Sequence, residues 1–247
     1  PSSTTTSRRI ASCRACSERG GGVSEMHERL LDRLADAIVA LHPDRRIRVA
    51  IDGVDGAGKT MLAETLAPLV VAKGRPVTRA GVDDFHCPRS VRYARGRYSP
   101  EGFYLDSYDY AALHRLLLAP FGPGGSGIYV ARHFDHRVDR APARQSQQAP
   151  PEAALILDGI FLHRAELRDC WDLSIFLQVE FAVSRQRNAA RDGTPDALDP
   201  DTPFNRRYAG GQQLYLAECQ PAQRADILID YNDHRAPNVL RWLGQAF

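Results

Sequence analysis

The residues Gly53, Val54, Asp55, Gly56, Ala57, Gly58, Lys59 and Thr60 constrain this chain more than any others, because they satisfy G-x-x-x-x-G-K-[ST] at every fixed position. The surroundings fit as well. Ile47 to Ile51 (IRVAI) is a β-rich run leading into the segment, and a helical stretch follows from about Gly58. Glycines in such a turn let backbone N–H groups point inward around phosphate oxygens, where a side chain would clash. The following helix aims its positive end at the same anion. Lys59 can then reach β- and γ-phosphates, and the Thr60 hydroxyl can ligate Mg²⁺. A chance match in a glycine-rich turn is the rival reading, and the strand before and helix after argue against it. The motif specifies nucleotide phosphate binding and does not separate kinase from ATPase or GTPase.

The rest of the chain alternates strands with helices. Helices are expected at Ser24–Leu41, from about Gly58 with Pro68 kinking or shortening it, and at Tyr108–Leu118, Phe181–Arg191, Gln212–Cys219 and Val239–Phe247. Strands are expected at Ile47–Ile51, Val77–Val82, Ile128–Phe134, Ala153–Leu157, Leu173–Val179 and Ile227–Ile229. Gln145–Glu152 and Asp192–Phe204 read as loops. This alternation predicts an α/β fold of three layers, α/β/α, with a mostly parallel sheet covered on both faces and a small helical lid at about 185–210. Residues 1–22 lack any apolar period and read as a flexible tail, leaving 23–247 as a single domain.

Composition narrows the function classes. A net charge of +2 makes no case for nucleic acid or a membrane surface, and no apolar run reaches the length of a span. Five scattered cysteines, with no hydrophobic leader, predict a reducing, cytoplasmic setting. Cys13 and Cys16 supply half a zinc site at most, so they belong to a bland tail.

Two acidic positions would turn binding into transfer. Ala154–Asp158 is an apolar strand ending in a carboxylate at the carboxyl edge of the sheet, where Asp158 can hold Mg²⁺ directly or through water. Taken alone, such an Asp-Gly is more often a turn. Val82-Asp83-Asp84-Phe85-His86 closes the second strand, and its acids supply a general base for an acceptor hydroxyl. Its rival is an Asx turn. Arg185, Arg187, Arg191, Arg206 and Arg207 cluster late, and Arg187 and Arg191 share a helix face where they can clamp a transferring phosphoryl group.

The ordered set GVDGAGKT, VDDFH, SPEGFYLDSYDY, FDHR, LILDGIFL and RYAGGQQLYLAE…PAQRADILID resembles the uridine kinase family, with its phosphoribulokinase and pantothenate kinase relatives. The resemblance runs from about Arg46 to Asp230. It implies a P-loop kinase using ATP and Mg²⁺ to phosphorylate the 5′-hydroxyl of a nucleoside, uridine or cytidine, in pyrimidine salvage. It implies Asp83 as catalytic base, Lys59 and Arg191 as catalytic partners, and Arg187 with Arg191 on the nucleotide phosphates. It implies His86, Tyr108, Asp109, Tyr129, His136 and Arg137 beside Asp83 on the nucleoside, with Asp109 gripping ribose hydroxyls. Thr60 and Asp158 would place the metal. Asp158 stands where the family usually has glutamate, and His86 where it has tyrosine. The expected partners are a small molecule and ATP, with no nucleic acid or membrane, and homo-oligomerisation is left open. The alternatives are a kinase of another small alcohol, such as pantothenate or a sugar phosphate, and a P-loop ATPase or switch. No N-K-x-D guanine-reading motif occurs, which argues against a GTPase.

Overall fold

The computed structural model describes residues 14–193 and 198–244. Its elements, in order, are α1 (Arg14–Ala40), β1 (Ile47–Gly53), α2 (Lys59–Ala72) and β2 (Val77–Gly81), followed by a 3₁₀ turn at Val82–Phe85. Then come α3 (Arg89–Arg92), α4 (Pro100–Asp106), α5 (Tyr110–Leu113), a π turn at His114–Leu118, and α6 (Ala119–Phe121). β3 (Ile128–Tyr129) and β4 (Gln147–Gln148) form a small antiparallel pair. The chain closes with β5 (Ala154–Gly159), a 3₁₀ turn at Arg168–Cys170, β6 (Leu173–Gln178), α7 (Phe181–Asp192), α8 (Pro203–Cys219), α9 (Pro221–Arg224), β7 (Ile227–Asp230) and β8 (Asn238–Trp242).

The main sheet has the order β2-β5-β1-β6-β7-β8, and all its pairings are parallel except the last. Successive strand residues point to opposite faces, so each inner strand feeds two cores. Ile47, Val49, Ile51, Ile156 and Ile175 meet Leu34, Ile38, Leu62 and Leu66 of α1 and α2 on one face. Ala50, Leu155, Leu157 and Phe176 meet Phe103, Leu113, Leu117 and Phe161 on the other. The three-layer α/β/α expectation is met. Parallel strands bring the loops after β1, β2 and β5 to one edge, which is where such sheets bind ligands.

Several boundaries differ from expectation. α1 begins at Arg14, ten residues before Ser24, so residues 14–22 continue the helix; propagating a helix that is already packed adds one hydrogen bond per residue at little cost. Cys13 lies outside the described residues. α2 runs four residues past Pro68, to Ala72, with Leu66, Ala67 and Val70 buried around the ring, so tertiary packing outweighs the one missing donor. The helix expected at Tyr108–Leu118 starts at Tyr110, where Asp109 caps it. α4 was not anticipated, although Ser99 caps it (Gly102 N to Ser99 Oγ, 3.0 Å) and Pro100 occupies its first turn.

The strand expected at Ile128–Phe134 is confined to Ile128–Tyr129. α8 begins at Pro203, nine residues before Gln212, because Gly210 and Gly211 lie directly against Pro100 and Phe103 of α4 and so belong to a tight helix contact. The expected closing helix is instead strand β8, whose residues 238–242 pair antiparallel with β7; β-branched Val239 and a buried Trp242 suit a pleated edge, and Arg33 stacks 4.8 Å from the Trp242 ring. The segment expected as a lid comprises the end of α7 and the start of α8; residues 194–197 and 245–247 lie outside the described residues. Among the described residues no helix is long and apolar enough to cross a membrane, and Cys87, Cys170 and Cys219 are free thiols.

Candidate active site

The glycine-rich loop joins the end of β1 to α2, as its sequence context requires. Gly56 adopts φ 66°, and a Cβ there would come within 2.7 Å of Asn188 Oδ1 and 2.8 Å of the Ser184 carbonyl, so α7 packs where only glycine fits. The Lys59 ammonium is buried and donates to the Val54 carbonyl at 2.8 Å, which carries it across the loop. The Ser184 hydroxyl donates to the Asp55 carbonyl. Arg187 donates to the carbonyls of Gly56 (3.5 Å), Ala57 (3.2 Å), Tyr231 (2.9 Å) and Asn232 (2.8 Å). It clasps α7 to the loop and to the segment after β7, and it also borders the cavity on the loop, where it is expected beside the nucleotide phosphates. A cavity of about 390 Å³ opens here, bordered by Lys59, Thr60, Asp83, Asp158, Arg187 and Arg191.

Asp158 ends β5 facing the loop. The Thr60 hydroxyl donates to its Oδ2 at 2.6 Å, and Arg79 Nη2 lies 3.2 Å from its Oδ1. Gly159 follows because a Cβ would stand 2.3 Å from Val82 Cγ1, so glycine lets the ends of β2 and β5 close on one another and brings Asp83 beside the loop. A hydroxyl and a carboxylate meeting at a phosphate loop suit Mg²⁺, which takes few protein oxygens and completes its octahedron with phosphates and water. Among the described residues no group of three or more His, Cys, Asp or Glu could by itself hold a metal ion.

A larger cavity of about 870 Å³ adjoins the first, and Asp55, Asp83, Ile160, Asn188 and Arg191 border both. Tyr108 donates its hydroxyl to Asp83 Oδ1 at 2.9 Å; burial, reinforced by the Asp83 charge, holds the phenol far above its ordinary pKa, so it stays a donor. His86 Nδ1 sits 2.7 Å from the Asp83 carbonyl oxygen, and its ring packs, tilted, between Tyr108 (4.5 Å) and His136 (4.4 Å). Burial lowers the His86 pKa, which favours a neutral ring with its Nδ1 proton on that carbonyl. Beside it, burial raises the Asp84 carboxyl, while Arg132 at 3.1 Å pulls the other way.

Three expected contacts fall elsewhere. Asp109 accepts from Ala112 N at 2.8 Å as the cap of α5, lies 3.7 Å from His133 Nε2, and borders neither cavity. Tyr129 is buried against Phe121 and donates to Gln147 Oε1 at 2.7 Å. Arg137 is exposed, with its carbonyl accepting from Arg89 at 3.1 Å. None of these three residues borders either cavity.

Other residues at the site went unpredicted. Asp52, fully buried just before the loop, accepts from Gly53 N at 2.7 Å through Oδ1, while its Oδ2 meets His163 Nδ1 at 2.6 Å and accepts from the Tyr215 hydroxyl. His163 N donates to that hydroxyl at 3.0 Å. The network ties β1, the turn after β5 and α8 together. Phe161, buried at φ 66°, turns the chain to allow it, a strained conformation for a residue with a Cβ. Gln212 Oε1 accepts from Asp55 N at 2.6 Å, a second link between α8 and the loop.

No protein-family model matches the chain. A thymidylate kinase of Xylella fastidiosa (strain 9a5c) is 28% identical over 185 residues, 71% of this chain and 80% of that protein. A possible uridine kinase from Bacillus stearothermophilus superposes with TM-score 0.65 at 24% identity, over 83% of this chain and 98% of that one. A candidate fructose transport system kinase from Silicibacter sp. TM1040 gives TM-score 0.56 at 25% identity, over 79% and 94%. The chain has the fold of these P-loop kinases.

Proposed function

We propose that this protein transfers the γ-phosphoryl group of ATP to the hydroxyl of a small molecule. The observation that carries the reading is Asp83, which stands at the junction of two cavities, one built on the phosphate loop and one beside it. In the proposed reaction the acceptor oxygen forms a bond to the γ-phosphorus as the bond from that phosphorus to the β–γ bridging oxygen breaks. ADP leaves, and the hydroxyl proton passes to the Asp83 carboxylate. Tyr108, donating to Oδ1, orients that carboxylate and leaves Oδ2 for the acceptor. Loop amides and Lys59 hold the donor phosphates, and Arg191, bordering both cavities, faces the charge in flight. Mg²⁺, held by Thr60 and Asp158, would supply charge neutralisation on the phosphate oxygens.

A nucleoside is the second reading. The His86–Tyr108–His136 wall offers faces on which a base can stack, and the likeness to a possible uridine kinase and a thymidylate kinase agrees with it. Measuring ATP consumption with nucleosides, pantothenate and sugar phosphates tests the kinase reading. Turnover proportional to an acceptor is expected. Slow hydrolysis indifferent to every acceptor would instead identify a switch ATPase.

A further inference from the structure

We infer that the acceptor carries an anionic group, a phosphate or a carboxylate, which seats against Arg92 and Arg207; the inference rests on the two-substrate reading above. Both residues border the larger cavity and neither borders the one on the phosphate loop, so they stand apart from the donor phosphates. Both side chains are more than nine-tenths buried. A buried cation is costly unless an anion offsets it. Among the described residues Arg207 makes only neutral hydrogen bonds, to the carbonyls of Arg97 (2.8 Å), Ser99 (3.4 Å) and Arg92 (3.5 Å), and lies against the Tyr93 and Phe103 rings. Arg92 Nε donates to the Cys87 carbonyl at 2.7 Å. Its charge is paired with Asp139, whose Oδ1 lies 3.6 Å from Nη2, yet that buried nitrogen has no hydrogen-bond partner among the described residues and so keeps an open donor.

The charge around the cavity points the same way. Arg92, Arg185, Arg191 and Arg207 border this cavity together with the carboxylates Asp55 and Asp83, and these two acids lie toward the donor side, bordering both cavities. The acid expected to grip a neutral diol, Asp109, caps a helix instead. Tyr93, Phe103 and Tyr208 leave an apolar flank for the carbon skeleton. The far end of the cavity therefore suits an anion and its near end a hydroxyl.

The test is calorimetric titration of the full chain, saturated with Mg²⁺ and a non-hydrolysable ATP analogue. Glycerol 3-phosphate, ribose 5-phosphate and a nucleoside monophosphate represent phosphates, glycerate represents carboxylates, and uridine and ribose are neutral controls. An anionic probe should bind more tightly than its neutral counterpart. Arg92→Gln should weaken it about tenfold or more, Arg92→Lys should retain part of the affinity, and uridine should respond to neither change. Tighter binding of uridine than of every anion, or unchanged anion affinity in Arg92→Gln, would overturn the inference. If Arg92→Gln fails to fold, Arg207→Lys decides, because replacing the planar fork by a point charge should weaken the anionic probe severalfold and leave uridine unchanged, and an unchanged anion affinity would overturn the inference. ATP consumption with the same panel separates the two claims. Turnover on neutral acceptors alone keeps the kinase and removes the anion seat, whereas Arg92-dependent anion binding without turnover does the reverse.

Discussion

Replacing Tyr215 with Phe deletes one oxygen from the buried network behind the phosphate loop. The ring keeps its edge contact with Phe161 (5.1 Å) and its tilted contact with Tyr104 (6.2 Å), so no cavity forms. What disappears is a hydrogen bond donated to the Asp52 carboxylate and the acceptor for His163 N. A bond to a charged group contributes about 1.5–3 kcal/mol, and a stranded buried N–H costs about 1–3 kcal/mol. Allowing for local relaxation, the expected loss is about 3 kcal/mol, a large part of the roughly 5–15 kcal/mol that stabilises a typical domain. Urea unfolding reads it directly. With a slope of about 3 kcal/mol/M the midpoint should fall by about 1 M at unchanged slope. Because Asp52 precedes Gly53, the variant should also bind ATP more weakly while its dependence on the acceptor is preserved. A midpoint within about 0.2 M of wild type would refute the reasoning, since it would mean the hydroxyl carries no net interaction in the fold.

Asp109→Ala should cost about 1 kcal/mol in unfolding free energy, the usual value of a lost cap, and leave the KM for the acceptor unchanged; a KM rise of tenfold with stability intact would restore it to the substrate. Lys59→Met should reduce turnover by at least about a hundredfold with a small change in melting temperature, checked by steady-state kinetics and thermal melts. The His86 pKa is lowered in the fold, so the stability it contributes is present above the unfolded value and lost as pH falls below about 6.5. Its neighbours Asp83, His136, Arg92 and Tyr108 remain in a His86→Phe variant, which should therefore lose less stability than wild type on acidification from about pH 7 to about pH 5.

The phosphate loop and the parallel sheet were legible because their signals are local: glycines at fixed spacing, a β-rich run before them and a helix after. Asp83 and Asp158 were legible as strand-end acids for the same reason. Other residues depended on long-range geometry. Arg187 carries the same charge as Arg191, and only the fold reveals that its donors reach carbonyls on two separate segments. Asp109 precedes Tyr110 and caps a helix, a role its sequence D-Y-A-A-L permits and the family likeness masked. Asp52, His163 and Tyr215 lie 111 and 163 residues apart along the chain and meet only after three elements pack. The edge strand at 238–242 was misread because five residues with mixed polarity fit a short helix as well as a strand until β7 is present to pair with them.

The central claim is that one carboxylate mediates between a bound nucleotide and an acceptor hydroxyl, and Asp83→Asn tests it most directly. The substitution keeps the side chain's shape and its capacity to accept from Tyr108, and removes the base. With the acceptor that supports turnover in the unaltered protein, ATP consumption should fall by about a hundredfold to ten-thousandfold while ATP affinity stays within about twofold. Undiminished acceptor-dependent turnover in that variant would contradict the account.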